Sequence, residues 1–215
     1  SATATLLTGS GSGPYTFTIP PPADGTVSLE LVAGTPATQD AAGNPFGGDT
    51  WSYDLDSTAP QVVPGSLSPS SGALVSTLTS VEVTFDEPVT NVAMDSLEVN
   101  GSATATNLTG SGSGPYVFTI PEPVDGSVNL QLVAGTPPIE DDPYGNDFTG
   151  YSWSCTVDAT PPVVDTTAPG DGATLTALTS VSVTFDESVT NVAQSDLTVD
   201  GSATATNGIW AASRT

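Results

Sequence analysis

The sequence predicts an all-β protein, built as tandem antiparallel β-sandwiches with an incomplete half-domain at each end, and three observations carry that prediction. First, apolar and polar residues alternate in short runs, the period of a strand that buries one face. Second, clusters of Gly, Pro, Asn, Asp and Ser interrupt these runs roughly every eight to twelve residues, and no segment shows a helical period. Third, the chain repeats itself: "SATATLLTGSGSGPYTF" at 1–17 returns as "SATATNLTGSGSGPYVF" at 102–118, and "SVEVTFDEPVTNVAMDSLEVNG" from Ser80 returns as "SVSVTFDESVTNVAQSDLTVDG" from Ser180.

The repeat sets the order of the parts. Residues 1–58 read as the second half of a repeat, 59–158 as a complete repeat, 159–207 as the first half of another, and 208–215 ("GIWAASRT") as a divergent tail. Within the complete repeat, one strand face is predicted from Val81, Val83 and Phe85, and others from Leu97 and Val99, from Tyr116, Phe118 and Ile120, from Val128, Leu130 and Leu132, and from Trp153, Cys155 and Val157. "GSGSGP", "PVDG" and "DPYGND" supply the turns between them. About seven short strands in about 100 residues is the pattern of an immunoglobulin-like sandwich. An odd strand number brings the chain in at one pole and out at the other, so units joined by the proline-bearing linkers "DSTAPQ" and "DATPPV" are expected to form a rod.

The string "TAP...P..G.......SV.VTFDE.V", followed by "VAGT....D..GN.F....WS" and a closing "D.T.P", resembles the bacterial Ig-like repeats of S-layer proteins, large adhesins and other surface proteins. The resemblance covers residues 1 to 207, nearly the whole chain. It implies an extracellular, cell-surface location and a role in spacing, assembly or adhesion. The tail departs from the repeat.

Charge narrows the function further. One Arg, no Lys and no His stand against 24 Asp and Glu, a formal charge of −23. A field of that sign repels phosphate backbones and anionic lipid, so nucleic acid is excluded as a partner. No apolar run is long enough for a membrane-spanning helix, which argues against direct membrane insertion. Without His or Lys, Ser-His-Asp, Cys-His and Lys-based catalysis have no base. The paired carboxylates that glycoside hydrolysis requires recur with each repeat and bring no substrate-binding aromatic cluster. The chain reads as a non-enzyme with no organic cofactor.

The acidic turns are the candidate metal ligands. "FDEPVTN" at 85–91 and "EDDPYGND" at 140–147, with "QDAAGN" at 39–44 and "SDL" at 195–197 as counterparts, offer the hard oxygens that calcium collects from carboxylates, amides and backbone carbonyls. The expected ligands are Asp86, Glu87, Asp141, Asp142, Asn146 and Asp147, with Asp56 and Asp158 at the linkers; the competing reading is a set of solvated turn carboxylates. "NGS" at Asn100 and "NLT" at Asn107 match the N-glycosylation pattern, which makes glycans possible attachments. Cys155 and the tryptophans Trp51 and Trp153 read as core residues, and Trp210 as a plug or a frayed tail.

A half-sandwich exposes its inner face and unpaired strand edges. The N-terminal half offers Phe17, Ile19, Leu29, Leu31 and Trp51, and the C-terminal half Val181, Val183, Phe185, Leu197 and Val199. The poles of the intact repeat between them are expected on the order of 40 Å apart, which forbids closure within one molecule. Joining to the next copy would bury tens of kcal/mol of apolar surface, about 1.5–3 kcal/mol per large side chain before ordering costs. The expected partner is therefore a copy of the same chain, head to tail. A window cut from a longer array gives the same fibre with a continuous backbone, and an Ig-like spacer or adhesive module binding carbohydrate or protein is the alternative function.

Overall fold

The structure, a computed structural model, describes residues 3–199 and 202–203. It is all-β, with antiparallel sheets and only short 3-10 turns for helix. Among the described residues no helix is long and apolar enough to cross a membrane. The chain divides into two compact units, one through Asp158 and one from Ala159.

The first unit opens with two hairpins. β1 (Leu6–Thr8) pairs with β2 (Thr16–Thr18), and β3 (Gly25–Leu31) pairs with β4 (Asp49–Leu55), each as a two-stranded sheet. The central repeat follows with β5 (Leu74–Val75), β6 (Ser80–Val83), β7 (Val89–Thr90), β8 (Leu97–Val99), β9 (Ser102–Ala103), β10 (Asn107–Thr109), β11 (Tyr116–Thr119), β12 (Gly126–Leu132), β13 (Glu140–Asp141) and β14 (Tyr151–Val157). These form one sheet in the order β10-β11-β6, a second in the order β5-β14-β12-β8-β9, and a small β13-β7 ladder. Alternate residues of both large sheets meet in one core: Val81 and Val83 of β6 and Phe118 of β11 are buried with Leu97 of β8 and Val128, Leu130 and Leu132 of β12. Phe85 ties the layers, its ring edge-on to Tyr116 at 6.0 Å and to Phe148 at 5.3 Å.

Two details depart from the expected pattern. The pairing is not wholly antiparallel, because Leu74 and Val75 lie parallel to Thr156 and Val157 of β14. A stretch that short can align with an edge in either direction, since only its immediate hydrogen bonds fix it. The strands also outnumber the expected seven, because two-residue pieces such as β7 and β9 break off where the backbone turns. The Asn100-Gly101 pair makes the tightest of these turns, with φ of 52° and 77°, and joins β8 to β9.

The second unit contains β15 (Val164–Ala168) against β16 (Ser182–Phe185), and β17 (Thr198–Val199) against β18 (Ser202–Ala203). Ala168 pairs with Ser182 as Ser68 bridges Glu82 in the central repeat, but the register shifts between Val164 and Thr166, so Val164 pairs with Phe185 where uniform repeat spacing from Val62, which bridges Phe85, would bring Pro162.

Candidate functional site

Pairing of β13 with β7 sets Asp141 opposite Val89 and so beside the loop that carries Glu87. The linker leaving β4 brings Asp56 to the same place. One carboxylate oxygen from each of Asp56, Glu87 and Asp141 lies within 4.8 Å of the other two. Asp141 is the buried member, only 2% exposed. Asn146 holds it, donating its backbone N–H to one carboxylate oxygen and its Nδ2 to the other at 2.8 Å. The same Nδ2 donates to the Asp56 carbonyl at 3.2 Å, which ties the linker to the acidic loop.

Burial pushes the Glu87 carboxyl above its ordinary value of 4.5, and the negative charges of Asp56, Asp141 and Asp86 push it further. No cationic side chain among the described residues can relieve this, since the one Arg is Arg214 and there is no Lys.

Four of the remaining candidate ligands stand apart from the trio. Asp86 is engaged elsewhere: its carboxylate accepts the Gln61 backbone N–H at 2.8 Å and so fastens the linker to the central repeat. Asp142, Asp147 and Asp158 are exposed and outside the cluster. A further acid, Asp24, acts from the other side of the joint. It accepts the Ser57 N–H and Oγ at 3.1 and 2.7 Å and the Thr58 Oγ1 at 2.6 Å, and these bonds hold its carboxyl below the usual value. Sequence reasoning missed Asp24. Its signal was the "ADG" turn preceding a strand, with a Ser-Thr linker whose donors lack strand partners.

The titrations have opposite signs. A carboxyl raised on folding holds its proton more tightly in the native state, so the stabilisation from Glu87 is complete below about pH 4.5 and is lost as pH rises through its folded value. The stabilisation from Asp24 is present above 3.8 and is lost as pH falls through its lowered value. Glu87→Gln is expected to raise the melting temperature by a few degrees at neutral pH without divalent ions. That gain should vanish in melts near pH 4.

The two terminal segments present the other candidate surface. Residues that are buried in the central repeat are open at the matching positions of the segments on either side. Phe118 is fully buried and its counterpart Phe17 is 44% exposed; Trp153 is 6% exposed and Trp51 42%; Val83 is fully buried and Val183 44% exposed. Ile19, Leu31, Val181, Leu197 and Val199 are likewise exposed, while Leu29 and Phe185 are partly covered. The cause is visible in the pairing: β11 has neighbours on both edges and β2 on one.

Asn100 is exposed in its turn, with its side-chain oxygen accepting the Asn129 N–H at 2.9 Å, and Asn107 is exposed at the start of β10. Cys155 is buried, and burial pushes its thiol up, as fits an unreactive core residue. Trp210 and the tail 208–215 lie outside the described residues. In comparisons with known proteins, no family model, no curated protein and no solved structure matches the chain.

Proposed function

We propose that the chain is a structural subunit of an extracellular filament, S-layer or stalk built from tandem Ig-like sandwiches, in which the open half at 1–58 of one molecule is completed by the open half at 159–207 of the next. The observation that carries this reading is the paired exposure just described: the same positions form a closed core at the centre of the chain and lie open in the segments on either side of it. The two open segments correspond to opposite halves of the central repeat. A joint between them is heterologous and does not close on itself, so it propagates into a filament. With a charge of −23 and no Lys, attraction between copies draws on apolar burial, strand pairing or bridging ions and not on Lys pairs. Electron microscopy of the purified chain tests the reading. Filaments that lengthen with concentration are expected, and monodisperse monomers at high concentration would overturn it.

The acidic joint has a place in the same reading as a calcium site that stiffens the rod. Calcium–oxygen distances of about 2.3–2.6 Å place ligands across the ion roughly 5 Å apart, which suits the spread of Asp56, Glu87 and Asp141. Asn146 then orients Asp141 from behind. Calcium in excess over its dissociation constant by about 100-fold would add about 2.7 kcal/mol to stability. The melting temperature is expected to rise with calcium over chelator in the native chain and not in Glu87→Gln. An equal value in both media would leave the cluster as surface charge.

A further inference from the structure

The open faces can be matched residue by residue, because the central repeat displays the closed form of the joint. There, Trp153 Nε1 donates to the Pro69 carbonyl at 3.1 Å, the Ile120 N–H donates to the Thr79 carbonyl at 2.9 Å, and Leu78 is buried in the same core. The corresponding positions are Trp51 and Ile19 in the first unit and Pro169, Thr179 and Leu178 in the second. In the second unit these last three residues line an open cleft together with Ala168, Ala177 and Val181. Leu178 is 59% exposed there.

We infer that this cleft is the socket for Trp51 and Ile19 of a second copy of the chain, and that the second copy's β3–β4 hairpin is gripped on both edges by strands of the incoming half. The inference rests on the head-to-tail reading and specifies its joint. In the central repeat β12 is flanked by β8 and β14 by β5, whereas β3 and β4 have only each other. Transferring the observed registers sets Phe17 opposite Val181, Leu29 opposite Val199 and Leu31 opposite Leu197, with Asp54 and Leu55 parallel to Thr174 and Leu175. A hairpin held from both sides cannot slip by one residue without turning its apolar face to water.

Charge identifies the occupant. Gln131 faces Glu98 across the β12–β8 pair of the central repeat. The open half carries Glu30 where the central repeat has Gln131, and the second unit carries Thr198 where it has Glu98. A first half of the central type would place Glu against Glu30, whereas the second unit offers a hydroxyl. The neighbouring edge repeats the exchange: Thr156 beside Leu74 becomes Asp54 beside Thr174. Like charges directly opposite are destabilising, so residues 164–199 of another molecule suit the hairpin better than the central first half does.

Sedimentation velocity on four full-length variants tests this. Trp51→Ala removes the plug and Leu178→Asp spoils the socket, both at exposed positions that leave the fold of the monomer intact. Each variant alone is expected to associate at least about thirtyfold more weakly than the parent chain, and an equimolar mixture of the two to form a 1:1 heterodimer and nothing longer. Thr198→Glu is expected to weaken association by about fivefold, and adding Glu30→Gln to restore it. A parent chain that stays monomeric overturns the head-to-tail reading and this joint with it. A parent chain that assembles, with Trp51→Ala and Leu178→Asp assembling equally well, overturns this joint alone.

Discussion

Phe118→Ala is expected to lower the stability of the first unit by about 3–5 kcal/mol, while Phe17→Ala, the same change at the matching position, leaves the monomer within about 0.5 kcal/mol. Phe118 is fully buried in a strand with a neighbour on each edge, so its loss leaves a cavity in the shared core that the two packed sheets cannot collapse to fill. Phe17 is 44% exposed and stands on a hairpin paired on one edge only, so truncation there removes few contacts. Under conditions of assembly the two positions should converge, because Phe17 then takes the environment that Phe118 has permanently. Scanning calorimetry of dilute and concentrated samples checks both halves of the expectation. Equal destabilisation in dilute solution would mean that the face around Phe17 is already covered within one molecule.

The contrast between these two phenylalanines also shows what a sequence of this kind reveals. Alternation at Val81–Phe85 and Val128–Leu132 reads directly as burial, because a strand has only two faces and the core can lie against only one of them. The internal repeat then says which positions are equivalent, so exposure at Phe17 or Val183 could be anticipated from the missing neighbours alone. The parallel edge strand β5 was not legible, since two residues carry no periodicity and their direction is set by contacts with β14. Nor was the membership of the acidic cluster. Asp86 and Glu87 are adjacent in sequence, yet the linker N–H of Gln61 captures one and leaves the other facing Asp56 and Asp141. That choice depends on where the linker runs in space. Asp40, the counterpart of Asp141, shows the local part of the rule: it accepts bonds from Asn44 and Ala42, and its carboxyl is held low.

The turn before β11 carries the second large effect. Gly110→Ala is expected to cost about 3 kcal/mol and Gly112→Ala, two residues on, about 1 kcal/mol. Both glycines have positive φ, 127° and 62°. They differ in what a methyl group would meet. At Gly112 there is open space, so only the left-handed backbone is penalised. At Gly110 the new Cβ would come 2.5 Å from the Pro115 carbonyl oxygen and 2.8 Å from the Tyr116 Cα. Those are backbone atoms of the returning strand, so the turn itself must open. Opening it moves Tyr116, whose hydroxyl donates to the Gly112 carbonyl at 2.9 Å and to the Val89 carbonyl at 3.2 Å and whose ring packs on Phe85. The loss should therefore spread from the turn into the core and appear as a lower unfolding midpoint in urea with an unchanged slope. Gly9 has the same neighbours in Pro14 and Tyr15, but the Tyr15 ring is exposed. Gly9→Ala should distort the β2 edge that the proposed joint needs while leaving the midpoint of the central core unmoved, and a fall as large as that of Gly110→Ala would show that the N-terminal hairpins and the central core unfold as one cooperative body.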